Sequence, residues 1–376
     1  MKLLIAAPYF SPKVGGLENY ALCSAQEFRR QGHEVVVVAA NHAGRFRSED
    51  FINGLRVIRL PYLAKFSNTP LHPAWPLWLK RIIKSERPDA IITHTPVPSM
   101  SDSALLVAGR GVPVFVTYHA ATFYKKGSPV FNSIAALYRI YELLLLRRAT
   151  GILPVSEYVK SCLPKPLQSK AVVAPNAIDV IEQPNRAKKI KNTFIFIGNL
   201  HKTHAWKGLG NIICALAIAR RHGRDIELIV LGDGDMKDTY MMQATKAGVE
   251  SAVHFKGNVE GKEKFVLLQK AVALVAYPTT ENDAFPTVFL EAWASRTPVI
   301  AADIGALSSL ITNRINGLLV APAKPDELAL ALEAILDDEL LAQKIANYAV
   351  KDVRQAYTWQ QTAKTTLQFI TEKSAL

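Results

Sequence analysis

The sequence predicts an α/β protein built as two Rossmann-like domains in tandem, and three observations predict it. The strand candidates are short, continuous apolar runs, the pattern of strands buried on both faces of a parallel sheet. Helical patterns separate most of them. A strand, a glycine-bearing loop, a helix and a second strand open the chain at Leu3, and the same opening recurs at Thr193.

Taken in order, the first unit begins with a strand over Leu3 to Ala7, a loop holding Gly15 and Gly16, and a helix from about Leu17 to Gln31. A strand over Glu34 to Ala40 follows. Further strands are read at Arg56 to Leu60, Ala90 to Thr93, Val114 to Tyr118, Gly151 to Val155 and Ala171 to Ala174, with a helix over Ile134 to Arg148. Between Gln183 and Asn192 the chain turns polar and basic, the composition of an interdomain linker. The second unit then runs from a strand over Thr193 to Ile197, through a loop from Gly198 to Gly208 and a helix to about Arg221, into a strand over Ile226 to Leu231. Strands at Ala252 to Phe255, Val272 to Tyr277, Pro298 to Ala301 and Gly317 to Val320 complete it. The expected division is residues 1–185, 186–355 and a terminal helix over 356–376 that crosses back to the first domain. Ligands of such folds bind beyond the carboxyl ends of the strands, so the expected site is a cleft between the two domains.

The 376 residues suit two domains, and 49% hydrophobic with 20% charged residues is the composition of a folded chain. A formal net charge of +13 favours anionic partners. The basic residues are scattered and match no nucleic-acid-binding pattern, so nucleotide diphosphates and an acidic membrane surface are expected rather than nucleic acid. Cys23, Cys162 and Cys214 are isolated, which predicts reduced thiols and a cytoplasmic location. Met1 to Pro8 reads as a first strand rather than a signal peptide, and no run is long enough to span a bilayer. His42, His72 and His94 lack metal-ligand spacing, so no metal is expected.

The stretch from Tyr277 to Ser295 carries the most chemistry. A buried strand ends at Pro278, and Phe289, Leu290 and Trp293 then fall on helical spacing. Asp283 and Glu291 bracket the junction, and exposed N–H groups near Pro286 to Val288 open a helix, which makes an anion site. From spacing alone the pair is equally an acidic helix cap. Lys207, just before Gly208, is placed to neutralise a diphosphate or is a solvated loop lysine. Gly15 and Gly16 allow close backbone approach or mark a tight turn, and His119 closes a strand in Thr117-Tyr-His-Ala. Lys125, Lys126, Arg147 and Arg148 flank an apolar helix. They read as snorkelling cations at its ends or as a patch for anionic lipid.

Over nearly its full length the chain resembles the retaining glycosyltransferases of family four, with their two-domain GT-B architecture. The resemblance rests on Pro8 to Tyr20, Thr117-Tyr-His119, Val155-Ser156, Asn176 to Asp179, Phe196-Ile-Gly198, Lys207-Gly208, Gly232-Asp-Gly234, Asp283 to Glu291 and Asn316 to Pro322, in this order. It implies that Glu291 holds ribose hydroxyls, that Asp283 contacts the donor sugar, and that His119 lies near the transferred sugar. It further implies that Lys207 binds the diphosphate, and that Gly15, Gly16, Gly198, Asn199, Phe285, Pro286, Thr287 and Val288 line the donor. The chain departs from the family at two places. Asp283 stands where Glu is usual and Asn199 where Arg is usual, with Lys202, His201 and His204 each open as the replacement charge.

The resemblance therefore implies a retaining, metal-independent transfer of a sugar from a UDP- or GDP-sugar to a hydroxyl of a lipid-linked or saccharide acceptor. The expected setting is cell-envelope polysaccharide or glycolipid synthesis, with no cofactor and peripheral contact at the inner face of the plasma membrane. The two departures motivate the alternatives of a non-catalytic nucleotide-sugar-binding protein or a nucleotide-sugar epimerase.

Overall fold

The computed structural model describes the chain except residues 14, 43, 67–68, 96–97, 109–110, 121–127, 180–188 and 375–376. It divides into two compact units, Met1–Ala177 with Trp359–Leu376, and Ile178–Thr358. The boundary expected at residue 185 falls outside the described residues, as do Lys125 and Lys126.

The first unit contains β1 (Lys2–Ala7), β2 (Glu34–Ala40), β3 (Ser48–Ile52), β4 (Leu55–Leu60), β5 (Ala64–Phe66), β6 (Thr69–Leu71), β7 (Ala90–Thr95), β8 (Val114–Tyr118) and β9 (Gly151–Pro154). Its main sheet has the order β3-β4-β2-β1-β7-β8-β9. All neighbours are parallel except the edge pair β3–β4. Without that edge strand the order is the doubly wound one, which reverses between β1 and β7 and sets ligands at the carboxyl ends there. β3 (SEDFI) carries no continuous apolar run because one of its faces meets solvent, and the strands of the β5–β6 ribbon are only three residues each. None of the three shows as a strand in the sequence pattern.

The strand expected at Ala171 to Ala174 is reduced to a single bridge between Ala171 and Ile152. Lys170 O and Ile152 O accept the two bonds of that bridge, and Ala174 N–H donates to Pro154 O. The next pair would need an N–H from Pro154, which proline lacks, so the ladder stops. The helix Trp359–Ser374 buries Ala363, Leu367, Phe369 and Ile370 in the core of this unit. Gly151 makes the space: a Cβ there would come 2.4 Å from the Phe369 ring.

The second unit holds β10 (Thr193–Ile197), β11 (Glu227–Leu231), β12 (Val253–Gly257), β13 (Leu274–Ala276), β14 (Val299–Ala302) and β15 (Leu318–Val320). Their order is β12-β11-β10-β13-β14-β15, all parallel, again reversing beside the first strand. Phe194, Ile212, Leu216, Leu228, Val230 and Leu332 lie in one core cluster. Burial on both faces explains why these strands read as unbroken apolar runs.

Candidate functional site

In the second unit, the loop after β10 is built around close backbone approaches. Gly208 has φ +77, and a Cβ there would come 1.9 Å from Tyr277 O. Thr279 N–H donates to Trp206 O at 2.7 Å, so the end of this loop is laced to the segment following β13. Tyr277 is wholly buried, and its hydroxyl bonds Ala321 O and accepts from Lys324 N–H. These contacts bring Lys207 Nζ to 3.9 Å from the Asp283 carboxylate. Gly198 leaves the passage for the lysine stem, since a Cβ there would meet Lys207 Cδ at 2.9 Å.

The Asp283 side chain is 21% exposed. Burial raises its pKa, while Lys207 and the Phe285 N–H pull the other way. The Phe285 side chain is buried, with its ring 5.8 Å from that of Tyr357. The helix Thr287–Ala294 follows, with Pro286 as its N-cap. Phe289, Leu290, Ala292 and Trp293 turn inward, which leaves Thr287, Val288 and Glu291 on the outer side. Glu291 accepts from Lys264 Nζ at 2.7 Å through Oε1. Its Oε2 is covered and has no hydrogen-bond partner among the described residues. Asp283 and Glu291 thus each meet a lysine, Lys207 and Lys264. Lys264, on the helix Gly261–Lys270, was not anticipated, because no local spacing links it to an acid 27 residues away.

Beside this group lies a cavity of about 560 Å³ lined by Gly198, Asn199, His201, Asp233, Glu260 and Lys264. It sits at the carboxyl ends of β10 and β11. A larger cavity of about 640 Å³ lies at the opposite ends of the strands, against Asn192, Val272 and Pro298, and contains none of these residues. The carboxyl-end cavity is the candidate site, because strand topology leaves its crevice there. Asn199 Oδ1 accepts from His201 N–H at 2.8 Å, and Lys202 N–H donates to Asp235 at 2.7 Å. The first bond folds the loop on itself, and the second, with Leu200 N–H donating to Asp233 O, ties it to the turn after β11, so Asn199 shapes the cavity wall. Burial, then the charges of Lys207 and His201, lower the pKa of His204. Lys264 is the cation that the structure adds to this cavity.

The remaining candidates lie in the first unit. Gly15 and Gly16 open the helix Gly16–Arg30. A Cβ on Gly15 would meet Glu18 Oε2 at 2.2 Å, so the close approach at Gly15 is to the Glu18 carboxylate; Gly16 has open space. His119 follows β8, and its Nε2 lies 3.0 Å from Nδ1 of His94, the fully buried penultimate residue of β7. The Tyr20 ring stands edge-on to both imidazoles, with centroids 5.9 Å and 5.0 Å away. Burial lowers the pKa of His94 to about 3 and that of His119 well below its usual value, His94 adding to the latter. Among the described residues no group of three or more His, Cys, Asp or Glu is placed to hold a metal ion.

Two family descriptions match the chain: Glycosyltransferase Family 4 over residues 14–182, and Glycosyl transferases group 1 over residues 178–352. The chain is 27% identical over 373 residues to a phosphatidyl-myo-inositol mannosyltransferase of Mycobacterium tuberculosis, covering 96% of this chain and 94% of that protein. It is 26% identical over 396 residues to a glycogen synthase of the same species, covering 98% and 94%. A solved glycosyltransferase from Rickettsia africae ESF-5 has the same fold, with a TM-score of 0.75, 16% identity, and coverage of 99% and 98%. With both halves matched in sequence and the doubly wound order present in each unit, the chain belongs to glycosyltransferase family 4 and has the GT-B architecture.

Proposed function

We propose that this glycosyltransferase moves a hexosyl unit from a nucleotide diphosphate sugar to a hydroxyl of a lipid-linked or saccharide acceptor, with retention and without a metal ion. The observation that carries this reading is Lys207 Nζ, 3.9 Å from Asp283 beside the carboxyl-end cavity. A departing nucleoside diphosphate gains negative charge as its bond to the anomeric carbon breaks. The Lys207 ammonium and the N–H groups of Thr287 and Val288 are charge-stabilising groups of the kind that step needs. The acceptor oxygen forms its bond on the face the diphosphate leaves, and its proton passes to a diphosphate oxygen. Glu291, whose Oε2 has no partner among the described residues, accepts from ribose hydroxyls, while Asp283 and His119 bond hydroxyls of the sugar.

The acceptor class is supported by the relatives' names, one a lipid-directed mannosyltransferase and the other a glycogen synthase. The net charge of +13 supports work at an anionic membrane, at its cytoplasmic face. The test incubates purified protein with UDP-, GDP- and dTDP-sugars and with lipid and saccharide acceptors, in EDTA, and reads the product anomer by NMR. Transfer with retention supports the proposal. An inverted product overturns the mechanism, isomerised donor identifies an epimerase, and donor binding without turnover identifies a non-catalytic binder.

A further inference from the structure

The helix Pro129–Leu146 exposes an apolar stripe that the candidate site does not use. Ile134, Leu137, Ile140, Tyr141 and Leu144 are 47%, 69%, 62%, 42% and 54% exposed. Residues 137, 140, 141 and 144 fall at i, i+3, i+4 and i+7, one face of the helix. The opposite face is the packed one: Ala135, Glu142, Leu145 and Leu146 are buried there. A helix that needed only one apolar face for its core would carry polar residues on the other, so the second face calls for a partner.

The charges on this helix and its neighbours say which partner. The chain leaves this helix through Arg147 and Arg148, both exposed and neither in an ion pair among the described residues. Pro129–Leu146 packs on the helix Met100–Val107, which packs on the helix Trp75–Glu86. The last exposes Leu77, Lys80, Arg81 and Lys84. The acids on these three helices are turned inward. Glu142 is paired with Arg139, Asp102 accepts from the Tyr138 hydroxyl, and Glu86 is held by Lys2 and Arg56. A second copy docking through the same face would set these cations against their own counterparts with no exposed acid to answer them. An anionic lipid surface answers both features, with leucines entering the acyl boundary and cations meeting headgroups.

We infer that the outward face of helix Pro129–Leu146, with Arg147 and Arg148, docks the protein on an anionic membrane. Among the described residues no helix is long and apolar enough to cross one, so this contact lies in the interface plane. The inference rests on the proposed function for the membrane's role, and names the surface that reading lacks.

The test is flotation of the full chain with vesicles of phosphatidylglycerol and phosphatidylcholine in equal parts, against phosphatidylcholine alone. The wild type is expected on the anionic vesicles and, in elevated salt, largely off them. Replacing two half-exposed leucines together, Leu137→Gln with Leu144→Gln, is expected to lower partitioning at least about tenfold. Arg147→Gln with Arg148→Gln is expected to lower it at least about fivefold on anionic vesicles only. Both variants change exposed side chains, and circular dichroism and UDP-induced thermal shift, measured alongside, show that the fold and the donor site persist. Unaltered flotation of either double variant overturns the inference. So does equal binding of wild type to both vesicles, or a dimer in solution that the leucine variant dissolves. A wild type whose stability responds to none of UDP, GDP and dTDP, with flotation intact, would sink the proposed function and leave the docking face standing.

Discussion

His94 Nδ1 and His119 Nε2 lie 3.0 Å apart, and this contact fixes which nitrogen His119 can offer a ligand. One ring must donate and the other accept. If His119 donated, His94 would carry its proton on Nε2, which is covered and has no partner among the described residues. An orphaned buried N–H is rarer and costlier than an unused lone pair. His94 therefore donates from Nδ1, and His119 is the Nδ1–H tautomer, whose donor is the one available for the proposed contact with the sugar. Nitrogen-15 NMR of the ring is expected to show protonated Nδ1 on His119. A protonated Nε2 would contradict the assignment. His119→Ala is expected to lower kcat/KM at least about tenfold, the value of one hydrogen bond of about 1.4 kcal/mol.

The same pair sets a pH dependence of stability. Both folded-state pKa values lie below the usual imidazole value, His94 at about 3. The unfolded chain thus binds more protons than the folded one below about pH 6.5. Stability is complete above that pH and is lost progressively as pH falls towards 3. Each histidine contributes a slope of about 1.4 kcal/mol per pH unit inside the window. Denaturation at stepped pH checks this, and His94→Phe is expected to flatten the profile between pH 4 and 6 by about one proton.

Gly198 holds the room through which Lys207 passes. Its substitution by alanine would place Cβ 2.9 Å from both Lys207 Cδ and the Phe196 ring. Gly198→Ala is expected to cost about 1–3 kcal/mol of stability through overcrowding. It is also expected to raise KM for the donor as the ammonium is displaced. Lys207→Ala, which leaves the space open, is expected to lose less stability than Gly198→Ala and at least about tenfold in kcat/KM. Equilibrium unfolding and initial rates on both variants separate the two effects. Equal stability losses would mean that the glycine does not serve the lysine.

Much of this was legible in the sequence, for a physical reason. Strands buried on both faces leave unbroken apolar runs, so β1, β2, β8, β10 and β11 show themselves within a residue or so of their ends. Lys207 and Gly208 were visible because a tight turn after a strand demands glycine. The strand at residues 171–174 failed because one missing N–H, on Pro154 in a distant segment, decides it. Lys264 and His94 were hidden for a related reason. Each is defined by a partner 27 or 25 residues away, and no local period records such a pairing.

Glu291 and Lys264 form the other acid–base contact of the site, at 2.7 Å, with side chains 18% and 20% exposed. Glu291→Ala is expected to lower kcat/KM at least about tenfold by removing the proposed ribose acceptor. Lys264→Met is expected to reduce it less. The double variant is expected to be non-additive by about 0.5–3 kcal/mol, because each single change also unpairs the other charge. A double-mutant cycle on donor binding measures the coupling, and strict additivity would show that the pair does not act on the donor together.

Asp283 is where a titration reports on Lys207. Burial raises its pKa, and Lys207 is the first of two groups that lower it. With the folded pKa above the unfolded one, ionised Asp283 opposes folding above that folded value, and the penalty fades as pH falls through it. Removing the cation as Lys207→Met strips away the lowering contribution. The Asp283 pKa is then expected to move further up, and the stability difference between Lys207→Met and wild type to widen as pH rises from 4 to 7. Carbon-13 NMR of the carboxyl measures the shift directly. An Asp283 pKa that stays put or falls in the variant would show that the 3.9 Å contact carries no charge coupling in solution.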